Sequence, residues 1–88
     1  MSLYGIHKAL YLLQNDLSFR ERLRTDPAGA LAPLPLDPAE RRALLDGDVA
    51  TLYRMGAHTF LMSRIPRFNV FGLDRHEYQR RLRAVLED

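Results

Sequence analysis

The chain has 88 residues, no cysteine, and thirteen basic against eleven acidic side chains, for a net charge of +2. A chain of this length makes one domain that buries only about 60–65% of its unfolded surface, so its core is thin and a partner often completes it. Without cysteine there is no disulfide framework, no thiolate metal site and no cysteine nucleophile.

Polar caps and apolar spacing predict an all-α single domain, residues 1–88, of five or six short helices. Ser2 can cap a first helix whose inner face is Leu3, Ile6, Leu10, Leu13 and Leu17, widened by Tyr4, Tyr11 and Leu12. Asn15-Asp16 breaks it, and Asp16 caps a second helix from Leu17 to about Thr25. There Phe19 and Leu23 point inward, while Arg20, Arg22 and Arg24 turn mostly to solvent. Asp26-Pro27 repeats the start signal for a short turn, after which Leu31, Leu34 and Leu36 pin an irregular segment to the core. Asp37-Pro38-Ala39-Glu40 has the spacing of a capping box, and the helix it opens stops at Asp46-Gly47.

Asp48 caps a fifth helix from Val49 to about Ile65, with an inner face of Val49, Leu52, Tyr53, Gly56, Thr59, Phe60 and Ser63. Gly56 is read as a close-approach point inside it, and Pro66 as its end. Phe68, Val70, Phe71 and Leu73 form a partly exposed aromatic loop flanked by Arg64 and Arg67. Asp74 and Glu77 announce the last helix, Arg75–Leu86, with Tyr78, Leu82, Val85 and Leu86 inward.

Self-sufficient chemistry is poorly provided for. His7, His58 and His76 fall on three predicted helices without metal-ligand spacing, so no metal site and no cofactor is expected on this chain. Ser18 and Ser63 lack a neighbouring base, and no glycine-rich phosphate loop is present. Six arginines between positions 64 and 83 face only Asp74 and Glu77, a modest basic patch. Arg80, Arg81 and Arg83 read as a solvated helix face rather than a nucleic-acid reader. No apolar run approaches the ~20 residues a membrane span requires, and no secretory signal is read in segment 2–13, so no membrane association and a cytoplasmic location are expected.

Three runs carry a family resemblance: D-P-x-x-x-L at Asp26–Leu31, L-x-x-x-E-R-x-A-L-L-x-G-D at Leu36–Asp48, and L-Y-x-x-G-x-H at Leu52–His58. In this order, over nearly the whole chain, they resemble the small alpha-type subunit of protocatechuate 4,5-dioxygenase and its relatives. The resemblance implies a non-catalytic subunit or lid of an extradiol ring-cleaving dioxygenase. Its Fe(II) would be held by a separate catalytic beta-type subunit. By motif match it implies that the segment with Tyr53, Gly56 and His58 faces the partner. Helical spacing and adjacency add Phe60, Leu61 and Arg64, and aromatic composition adds Phe68 and Phe71. A different class stays open: a stand-alone helical module that docks another enzyme, such as a peptide-modifying methyltransferase of the borosin type, or a copy of itself.

Overall fold

The structure, a computed structural model, describes residues 3–87. These form α1 Tyr4–Asn15, α2 Leu17–Thr25, α3 Pro27–Leu31, α4 Pro38–Leu45, α5 Val49–Met55, α6 Thr59–Met62, α7 Arg64–Phe68 and α8 Arg75–Leu86, with no strand among them. The all-α reading holds. Helix starts fall where the acidic caps put them. Asp16, Asp26, Asp37, Asp48 and Asp74 each accept a hydrogen bond from the amide three residues on, at 2.7–3.1 Å. At α4 the box is complete, because Glu40 reaches back to the Asp37 amide at 2.9 Å. The predicted Ser2 cap lies outside the described residues.

α1 lies against α2, α6 and α7, while α5 packs on α4 and α8. The core runs through Ile6, Leu10 and Leu13 of α1, then Leu31, Leu44, Leu52, Met62 and Ile65, all essentially fully buried. Gly5 admits the Pro35 carbonyl directly onto α1, and an added Cβ would collide with that oxygen. The inner face of α1 is narrower than its sequence spacing indicates. Tyr4, Tyr11 and Leu17 are exposed, as is Leu86 at the end of α8.

The predicted helix 49–65 is three helices. Gly56 adopts a left-handed conformation (φ 97°) and terminates α5, with the Ala57 amide closing onto the Leu52 carbonyl at 3.1 Å. It is a stop, not a close-approach point: an added Cβ would meet only Leu3, at 3.4 Å. Pro66 does not end a helix either. It is the third residue of α7, where a missing amide hydrogen breaks no helical bond. With the chain turned at Gly56, Tyr53, Thr59 and Phe60 leave the inner face and become exposed.

Two arginines expected in solvent tie elements together. Arg20 donates to the Leu13 and Gln14 carbonyls at 3.0 and 2.9 Å, closing the end of α1, and lies 3.8 Å from the Phe68 ring centre. Arg81 donates to the Asp46 and Gly47 carbonyls at 3.2 and 2.8 Å, joining α8 to the turn between α4 and α5. Glu77 holds Arg81 at 2.6 Å and Arg80 at 2.6 Å, instead of completing a capping box.

Hydrogen bonds from Arg80 and Arg81 lower the Glu77 pKa from 4.5 to about 2. A carboxylate depressed in the folded state stabilises it above the unfolded pKa and loses that contribution as pH falls through the folded one. The wild-type chain should therefore lose stability between pH 4.5 and about 2 through this group. Glu77→Gln should be less stable at neutral pH, and the gap should close across that window. Urea midpoints measured at stepped pH read this directly; a gap constant down to about pH 2 would show that Glu77 does not set it.

Candidate functional site

The segment from the end of α5 into α7 is fixed by local hydrogen bonds. After the Gly56 turn, the His58 amide donates to Nε2 of His7 on α1 at 3.0 Å. The His58 ring then caps α6, its Nδ1 accepting from the Phe60 amide at 3.2 Å. These acceptor roles assign the remaining ring protons to Nδ1 of His7 and Nε2 of His58. His58 is exposed, so that Nε2–H is a donor held out to whatever covers it.

Phe60 follows and is 55% exposed. Its ring carries the Arg64 guanidinium at 4.8 Å. Ser63 donates through Oγ to the Phe60 carbonyl and accepts from Arg64 at 3.2 Å, which orients the guanidinium over the ring. Phe60, expected inside, is thus presented outward on a braced support. Leu61, one residue on, is half-buried against the core.

The His7 contact joins this segment to α1. Tyr4, His7 and Tyr11 occupy one face of that helix at steps of three and four, and the tyrosines are 60% and 57% exposed. Tyr53, on α5, is 37% exposed. The sequence reading missed His7, Tyr4 and Tyr11 as members of this surface. Their signal is two tyrosines seven apart with a histidine between, and by spacing the tyrosines look like core widening.

Phe68 and Phe71 belong to other surroundings. Phe68 is half-buried beneath Arg20, and its carbonyl accepts from Arg24 at 2.7 Å. Phe71, itself left-handed at φ 57°, lines a cleft with Leu23, Pro27 and Leu45. The predicted aromatic loop is therefore half inside: Val70 and Leu73 are core.

A family model describing the LigA subunit of the aromatic-ring-opening dioxygenase LigAB matches residues 6–83. The chain belongs to the LigA family. No curated protein and no solved structure matches it. As a LigA chain it is the small subunit type of an aromatic-ring-opening dioxygenase. The match spans this surface from His7 to Arg64 and leaves out Tyr4. Among its described residues, no three His, Asp or Glu side chains come together as metal ligands would. No helix there is long and apolar enough to cross a membrane.

Proposed function

We propose that this LigA chain is a non-catalytic lid, covering an Fe(II) site carried by a separate beta-type subunit that performs extradiol ring cleavage. The observation that carries the reading is the braced, outward Phe60 beside the His58 donor and the Tyr4–His7–Tyr11 face. Exposed aromatics on a rigid support, with arginine beside them, are the composition of an interface centre. In a monomer the braced ring gains only a surface cation–π contact, about 0.5–1 kcal/mol, and leaves most of its apolar area in water. Pre-set histidine tautomers also reduce the ordering needed when a partner arrives.

The iron chemistry in this reading belongs to the partner. The lid contributes exclusion of water from the closed site, which strengthens electrostatic contacts there, and positions the exposed His58 Nε2–H at the mouth. Hydroxyl-radical footprinting of the chain, alone and with a beta-type catalytic subunit, tests this. Tyr4, Tyr11, His58 and Phe60 should become protected in the complex, while Leu86 should not. Equal labelling in both samples would sink the lid reading. The same protection in the isolated chain at high concentration would favour self-association instead.

A further inference from the structure

A second feature lies between α7 and the start of α8. Ser63, Arg64, Pro66, Arg67, Arg75, Tyr78 and Gln79 line an open cleft of about 380 Å³. Three arginines line it, and none has a carboxylate within ion-pair distance among the described residues, although the Arg64 guanidinium lies 4.8 Å from the Phe60 ring centre and that of Arg67 5.3 Å from the Phe68 ring centre. Elsewhere Arg80 and Arg81 share Glu77, Arg42 meets Asp46 and Arg24 meets Glu21, while Arg20, Arg22 and Arg41 donate to backbone carbonyls. Three guanidinium groups without a carboxylate give this open concavity a positive potential that favours an anion.

Tyr78 adds a neutral polar group to the same wall. It is only 6% exposed. Its hydroxyl makes no hydrogen bond to the described residues and is not sealed from solvent, the sealed unpartnered side-chain atom among them being Glu40 Oε2, so it is open to a molecule in the cleft. The residue forms part of the cleft wall. Burial pushes its phenol pKa up, so it remains a donor at neutral pH. A cavity of this size suits a small organic molecule better than a bare inorganic ion. Pro66 and the Tyr78 ring provide apolar wall, and planar guanidinium groups match a planar carboxylate.

We propose that this cleft binds the carboxylate of a small organic acid, with Arg64, Arg67 and Arg75 supplying positive charge and the Tyr78 hydroxyl a neutral donor. The site is formed by this chain alone and shares only Ser63 and Arg64 with the Phe60 surface of the lid reading. The test is a titration of the full ¹⁵N-labelled chain at constant ionic strength with sodium benzoate, sodium phosphate or benzyl alcohol. Benzoate should produce saturable shifts at the amides of residues 63–67 and 75–79. Arg67→Gln and Arg75→Gln should each weaken it about tenfold, the size of one charge-assisted hydrogen bond, and Tyr78→Phe about fivefold. Arg42→Gln, outside the cleft, should leave it unchanged. The proposal is overturned if benzoate shifts are linear and matched by chloride, or if benzyl alcohol binds as well. Equal phosphate affinity would reduce the site to an adventitious ion only. Unchanged binding in all three cleft variants, each with a native-like spectrum, would also overturn it.

Discussion

Phe60→Ala is expected to weaken association with a beta-type catalytic subunit by about 2 kcal/mol, roughly thirtyfold in Kd, while leaving the stability of the isolated chain almost unchanged. The two halves of this expectation come from the same geometry. A ring 55% exposed contributes little to the core, so truncating it should shift stability by no more than about 0.5 kcal/mol. The same ring, held by Arg64 at 4.8 Å, is an aromatic anchor already ordered before binding. Phe19→Ala is the contrast. That side chain is 8% exposed, and its loss should cost about 3–5 kcal/mol of stability. Titration calorimetry with the catalytic subunit and thermal melts of the free chain separate the cases. Equal affinity for wild type and Phe60→Ala would remove Phe60 from the interface.

Gly5→Ala should destabilise the chain by about 2 kcal/mol, against the usual sign for this substitution inside a helix. Alanine normally stabilises a helix by about 1 kcal/mol over glycine. At Gly5 the new Cβ would collide with the Pro35 carbonyl and lie 2.9 Å from the Leu36 side chain. Backbone cannot rotate away as a flexible side chain can, so overpacking of about 3 kcal/mol should outweigh the helix gain. For a domain of this size the melting temperature should fall by about 10 °C. A rise on Gly5→Ala would mean that the Pro33–Leu36 segment yields to α1.

What the sequence made legible was local. Asp16, Asp26, Asp37, Asp48 and Asp74 each act within three residues of themselves, and all five cap helices that begin where they stand. The buried leucines of α1 follow from spacing for the same reason. Gly56 was misread because apolar residues continue on both sides of it, and periodicity alone does not distinguish one helix from two joined by a left-handed residue. Once the chain turned there, the inward face assigned to Tyr53, Thr59 and Phe60 no longer applied.

Contacts that cross the chain left no such mark. Arg20 reaches carbonyls six and seven residues away, Arg81 bonds a turn 34 and 35 residues away, and His7 meets an amide 51 residues on. Each depends on how the helices pack, which no window of sequence contains. The candidate site was therefore half legible. Its segment from Tyr53 to Arg64 could be named from motif and spacing, but its α1 half could not. Phe68 and Phe71 were grouped with it by composition and are separated from it by packing.

The central claim is that this chain covers a reaction whose iron another chain holds. The most direct measurement is ring cleavage by the beta-type subunit alone, by this chain alone and by the two together, with iron assayed in each sample. The account predicts iron in the beta-type subunit, no turnover from this chain alone, and a large rise in ring cleavage when the chains are combined. Iron retained by this chain alone, or a catalytic subunit indifferent to its addition, would contradict it.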